Sequence, residues 1–134
     1  MPILSLFKTK KKKSRRAYLI GEIDKIVSLK VRERDGYRCR KCGRERGFRS
    51  DQIRVFHHHI FTKSRLSTRW LLENGVTLCY FCHRWAHAAG EEFREWVLSW
   101  MPKAQYDVLY IRSQMRGGLK ECDLEFLLRD MGRG

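Results

Sequence analysis

Apolar positions along this chain keep two different periods, and the points where the period changes mark its elements. From about Ile20 to Arg34, Ile23, Ile26, Val27 and Val31 recur at three- and four-residue spacing, which predicts an amphipathic helix. Asp35-Gly36 is a turn signal that ends it, and the polar, glycine-punctuated GRERGFRSDQ (43–52) reads as a loop. IRVFHHHI (53–60) is rich in β-branched and aromatic side chains and reads as a strand ending on histidines. FTKSRLSTRWLLENG (61–75) keeps no period and reads as a loop or irregular crossover, after which VTLC (76–79) is a second short strand. Helices are expected from Tyr80 to about Ala88, from Glu91 to Trp100, from Lys103 to Met115 with Pro102 at its entry, and from Glu121 to Asp130. Gly90 and Gly117-Gly118 supply the breaks, and no internal repeat is visible. The expected class is α+β.

The length of 134 residues is that of one ordinary domain, whose modest core calls for a staple such as a disulfide or a metal. Charge narrows the partner. Lys and Arg number 29 against 15 acids, a formal net charge of +14 that repels itself unless it meets a polyanion. Nucleic acid is the leading candidate and an acidic membrane surface the competitor, although no stretch is long and apolar enough to span a bilayer. Residues 1–16 form a basic arm expected to be disordered when free: Lys10, Lys11, Lys12, Lys13, Arg15 and Arg16 cannot pack and read either as a phosphate-tracking arm or as a solubilising tail. The apolar residues precede the charges there, the reverse of a secretory signal, so a cytoplasmic, reducing location is expected.

In that setting the cysteines read as ligands rather than disulfides. Cys39-x-x-Cys42 and Cys79-x-x-Cys82 are two knuckles of equal spacing, and two such turns complete a tetrahedral four-sulfur structural zinc site. A redox dithiol needs only one of them. Cys122 lies outside the pattern and reads as a buried or partly exposed thiol.

The histidines carry the chemistry. His57, His58 and His59 end the expected strand, Asn74 follows His59 by 15 residues, His83 follows Asn74 by 9, and His87 lies one helical turn beyond His83. Two histidines at i and i+4 share one helix face and can share one metal, with a third ligand from the preceding strand leaving positions open for water and substrate.

The stretch HHHIFTKSRLSTRWLLENGVTLCYFCHRWAH resembles the ββα-metal (His-Me finger) motif of HNH endonucleases, and the two interleaved knuckles resemble its zinc-bound subgroup, common among small phage proteins. The likeness covers about Val31 to His87. It implies a ββα-metal core at about 31–89 stapled by zinc, within a single nuclease domain (17–134) that carries a helical C-terminal extension at about 91–131. It also implies His59 as the general base, Asn74 as the residue that orients His59 and braces the loop, and His58, His83 and His87 as ligands of a catalytic divalent ion (Mn²⁺, Ni²⁺, Mg²⁺ or Zn²⁺). His57 has no role by this resemblance and reads as a strand or surface histidine. Consecutive strand residues face opposite ways, so His58 and His59 can serve one site only if the strand bulges or ends there.

By the same resemblance the substrate is duplex DNA, nicked to leave 5′-phosphate and 3′-hydroxyl, and a phage terminase large subunit is a plausible partner in DNA packaging. Lys63, Arg65, Arg69 and Arg84 flank the histidines and are candidate phosphate contacts, which give affinity and register without sequence information. Trp70 and Trp85 read as core or as stacking groups, and Trp96, Trp100 and Tyr106 as a helical cap on the core. Two other readings stay open: a zinc-ribbon DNA-binding module without catalysis, which has no need of Asn74, and a recombination or repair nuclease acting on branched or single-stranded DNA.

Overall fold

The computed structural model describes residues 11–44 and 54–132. Lys10, most of the loop expected at 43–52 and Ile53 lie outside the described residues. The first helix, α1 (Arg15–Arg34), buries Leu19, Ile23, Val27 and Val31, a four-residue repeat that keeps one stripe against the protein. Ser14 caps it, its hydroxyl accepting from the Ala17 amide at 3.2 Å. The helix therefore begins five residues before the expected start, and this corrects the extent of the basic arm. Arg15 pairs with Glu125 at 2.6 Å and Arg16 donates to the Leu119 carbonyl, so both belong to the folded body, while Lys11, Lys12 and Lys13 remain exposed coil. The chain reverses at Gly36 and Tyr37, both in the left-handed region with φ of 64° and 53°.

Strand β1 (Val55–His59) pairs antiparallel with β2 (Gly75–Cys79), with Val55 opposite Cys79 and His59 opposite Gly75. All five residues of β2 are buried, because both faces of the ribbon are covered. On one face Thr77 reaches α1, its hydroxyl on the Val31 carbonyl at 3.4 Å. On the other, Val76 and Leu78 share a core with residues of the later helices. The connection read from sequence as loop holds two short helical pieces, α2 (Leu66–Arg69) and a 3₁₀ turn at Leu72–Asn74.

Helix α3 (Tyr80–Ala88) leaves β2 with no intervening loop and is followed by α4 (Gly90–Trp100), α5 (Lys103–Gln114) and α6 (Glu121–Gly132). Two apolar clusters result. One joins β2, α3, α4 and α5 through Val76, Leu78, Ala86, Phe93, Val97 and Leu109, and Trp96, Trp100 and Tyr106 pack on it as the expected cap. The other joins α1 to α6 through Leu19, Ile23, Val27, Val31 and Leu124, with Trp70 at its margin. Trp85 meets the rings of Phe93 and Trp96, while Cys122 is exposed. No helix among the described residues is long and apolar enough to cross a membrane.

Candidate functional site

Two ligand clusters draw on the β2–α3 unit. The first gathers Cys39, Cys42, Cys79 and Cys82, whose sulfurs all lie within 4.8 Å of one another, so the four are positioned to hold a metal ion. Cys42 Sγ and Cys79 Sγ are 3.6 Å apart. Tetrahedral zinc with bonds near 2.3 Å separates its sulfurs by about 3.8 Å, so this cage fits that ion in size as well as in donor type. Local turns build it. The Gly43 amide donates to the Cys39 carbonyl at 2.9 Å and Gly43 takes φ of 78°, which folds the first knuckle back on itself. The Arg40 amide donates to the Thr77 carbonyl at 3.0 Å, anchoring that knuckle to β2, while the second knuckle spans the β2–α3 junction. Burial alone would push the Cys79 thiol up, but the Cys82 amide and the neighbouring thiols hold it at about 7. The Cys82 and Cys42 thiols are pushed up, chiefly by burial. A site that crowds four thiols together and lowers the pKa of one favours a bound cation over four protons.

The second cluster gathers His58, His83 and His87, one ring nitrogen of each within 4.8 Å of the others. His58 comes from β1 and is 7% exposed, and His83 and His87 lie one turn apart on α3. His83 Nε2 and His87 Nε2 are 3.1 Å apart, close to the roughly 3.3 Å set by two nitrogens on one tetrahedral ion with bonds near 2.05 Å. The rings are held from behind: His58 stands edge-on to Phe93 at 4.9 Å and His83 stacks on Phe56 at 5.3 Å. Burial, then the neighbouring His83 and His87, lower the His58 pKa to about 3, and burial followed by His87 lowers that of His83. Imidazole nitrogens are donors that a divalent ion of intermediate softness prefers.

His59 is the last residue of β1, so the strand ends where two consecutive histidines need it to. Both His58 and His59 line one open cleft of about 540 Å³ that also reaches His83, His87, Lys63 and Gly90. A second cleft of about 330 Å³, on the α1 side, shares His57, His59, Lys63 and His83 with the first and adds Asp24, Arg32, Arg69 and Trp70. His59 thus stands where the two clefts meet. Its pKa is lowered, by burial first and then by the charge of Arg69. His57 lies 4.2 Å from it, ring centroid to centroid. Burial, then His59 and Arg34, hold His57 at about 4, and its Nε2 is buried without a hydrogen-bond partner.

Asn74 is fully buried and braces the backbone just beyond His59. Its carbonyl accepts from the Ile60 amide at 2.7 Å, its side-chain oxygen from the Phe61 amide at 2.8 Å, and its side-chain nitrogen donates to the Phe61 carbonyl at 3.0 Å. The bracing expected of Asn74 is present, but its side chain bonds Phe61 rather than the His59 ring. Of the expected phosphate contacts, Lys63 and Arg84 are exposed, Arg65 is half-buried, and Arg69 is committed inside the protein to Asp24 and to the Lys63 carbonyl. Asp24 carried no signal in the sequence, since an acid in a helix reads as a solvated surface charge. No family model, curated protein or solved structure matches this chain.

Proposed function

We propose that this chain is a metal-dependent HNH endonuclease of the ββα-metal type that nicks duplex DNA, with β1, β2 and α3 as its catalytic unit and the four cysteines as a structural zinc site. The observation that carries the reading is the convergence of three ring nitrogens beside His59 in one open cleft, separate from the four-sulfur cluster. A binding module has no use for a second cluster of nitrogen ligands, opening on a cleft, with a further imidazole at its edge.

In this reading His58, His83 and His87 hold a divalent ion, which when bound neutralises charge on the phosphate and on the departing 3′ oxygen. The protein's own work is positional. His59 stays neutral at pH 7, because burial and the charge of Arg69 lower its pKa, so one ring nitrogen can take the proton of an attacking water. Asn74 fixes the Ile60–Phe61 backbone and hence the end of the strand that carries His59. Lys63, Arg65 and Arg84 would meet flanking phosphates, and Lys10, Lys11, Lys12 and Lys13 would track the backbone further out. One such site cuts one strand and leaves 5′-phosphate and 3′-hydroxyl. Small size, zinc knuckles and the HNH pattern also favour a phage setting, with the terminase large subunit as a partner in packaging.

Supercoiled plasmid incubated with the purified protein and Mn²⁺, Ni²⁺, Mg²⁺ or Zn²⁺ should become open-circular, and DNA ligase should seal the nicks. Retarded DNA with no nicking under any of the four metals would leave the zinc-ribbon binder as the better reading.

A further inference from the structure

Another cavity shares backbone segments with the histidine cleft. Ile60, Thr62 and Phe93 line that cleft, while their chain neighbours Phe61 and Arg94 line a separate cavity of about 380 Å³ together with Tyr106, Asp107 and Tyr110 of α5. Its size is that of a small-ligand pocket. The walls are chiefly aromatic. The Phe61 ring centroid lies 5.1 Å from that of Tyr106 and 6.1 Å from that of Tyr110. The Arg94 guanidinium stands over the Tyr106 ring, 5.7 Å from its centroid.

Two of these walls are preorganised. Asn74 bonds the amide of Phe61 at 2.8 Å and its carbonyl at 3.0 Å, and the rings of Phe61 and Tyr106 pack on the apolar cluster of β2, α3, α4 and α5. Tyr110 is different: 53% of its surface stays exposed, and a tyrosine ring offers contact area at low cost in conformational entropy. The polar groups are a cation and a carboxylate. Asp107 meets Lys103 at 3.1 Å in a surface pair whose side chains are 76% and 51% exposed, a contact weak enough for a ligand donor to replace. Rings, a guanidinium and a carboxylate suit a flat aromatic ligand with polar edges, and the net charge of +14 selects one carried on a polyanion. An unpaired nucleobase meets both demands, because its face stacks on aromatic rings and on guanidinium planes while its pairing edge is open to hydrogen bonds. Guanine fits the two charges best. Its adjacent N1–H and N2–H groups can both donate to one carboxylate, and its O6 and N7 accept from arginine.

We propose that this cavity is a base-binding subsite that takes one unpaired nucleobase, guanine before the others, from a DNA strand whose phosphate lies at the histidine cluster. The inference rests on the nuclease reading for its DNA partner, but not on cutting. It adds to the duplex substrate an unpaired or extruded base beside the cut.

Fluorescence anisotropy tests it on the zinc-loaded full chain with no other divalent ion added. The probes are a short labelled oligothymidylate, the same strand with one central guanine, adenine or cytosine, and the fully paired duplex of the guanine strand. Wild type should bind the guanine strand roughly fivefold or more tightly than the other three. Tyr110→Ala should weaken binding of the guanine strand by roughly fivefold or more, as the loss of one stacked base predicts, and change duplex affinity by less than about twofold. Tyr110→Phe keeps the ring and should bind as wild type does. Asp107→Asn removes a negative charge and should raise affinity for every strand, so its readout is the preference for guanine over thymine, which should vanish. Circular dichroism checks folding, and Asp107→Asn, at an exposed position, suffices if Tyr110→Ala does not fold. Equal affinity of wild type for the four strands overturns the subsite. So does Tyr110→Ala with unchanged affinity, or with equal losses on single strand and duplex. Wild type that binds neither single strand nor duplex overturns the nucleic-acid reading itself.

Discussion

Gly75 faces His59 across the ladder, yet it is His57 that needs it to be glycine. A Cβ at this position would lie 2.6 Å from His57 Nε2 and 2.8 Å from the Val31 methyl. The space it leaves lets a neutral imidazole lie against the His59 ring. Gly75→Ala should therefore cost about 1–3 kcal/mol in denaturant unfolding, as overpacked sites do, and should lower nicking as the His57 ring shifts against His59. Unchanged stability would mean that His57 has room to move. Under the nuclease reading, the roles of His59 and His83 separate by metal. His59→Ala should abolish nicking at every metal concentration, a loss of about 10²–10⁴-fold for a general base. His83→Ala should lose it through weaker metal binding, so its defect should ease as metal is raised. Three nitrogen ligands favour Mn²⁺ or Ni²⁺ over Mg²⁺, and wild-type rates should follow that order. At this scale the spacing of His58, His59, Asn74, His83 and His87 was legible, because side chains on one strand and one helix obey local periods. His57 and Gly75 were not, because their contact exists only once β1 and β2 pair in register.

At the scale of elements, the first knuckle (Cys39, Cys42) is held to the second (Cys79, Cys82) through the thiol cluster, with an amide bond from Arg40 to β2 and the cations of Arg40, Lys41 and Arg44 over the rings of Trp100, Trp85 and Phe81 beside it. Structural zinc contributes about 10–16 kcal/mol in small peptides, so Cys39→Ser or Cys79→Ser should unfold or aggregate the protein and lower its zinc content by one equivalent. Full helicity with undiminished zinc in both variants would remove the four-sulfur site. The tie between α1 and α2 should show in acid. Burial pushes the Asp24 carboxyl up, but the hydrogen bonds from Arg69 and Trp70 outweigh it and hold it below the ordinary carboxylate range. A folded value below the unfolded one stabilises the protein above about pH 3.9, and that stabilisation is lost as pH falls through the folded value. Wild type should thus be more stable than Asp24→Asn at pH 7, with the gap closing below about pH 4 in urea titrations. A gap independent of pH would mean that the carboxylate charge is not what holds Arg69. The strands and the four longer C-terminal helices were legible in the sequence from their periods and breaks. The helix α2 was not, since four residues are too few to display a period, and the start of α1 was hidden because its first turn is basic and exposed.

Across the whole molecule, that first turn decides how the basic N-terminal region can be tested. Arg15 and Arg16 look like a continuation of the lysine run in sequence, but their partners Glu125 and the Leu119 carbonyl lie more than a hundred residues away, where no local pattern reaches. These bonds clamp α1 to α6 beside the cluster of Leu19, Ile23 and Leu124, and Ser14 caps the same turn. A truncation that removes residues 1–16 would take away a helix cap worth about 1 kcal/mol along with the clamp, and would confuse weakened folding with weakened DNA binding. Removing residues 1–13 leaves both in place. It should lower affinity for duplex DNA and flatten the plot of log affinity against log salt by about 0.9 for each phosphate that the shortened protein no longer neutralises, while kcat at saturating DNA and the melting temperature stay put. Removing residues 1–16 should lower the melting temperature as well. If the shorter truncation leaves the salt slope unchanged, Lys10 to Lys13 act as a solubilising tail, and the phosphates are met instead by the cations beside the histidine cleft, Lys63, Arg65 and Arg84.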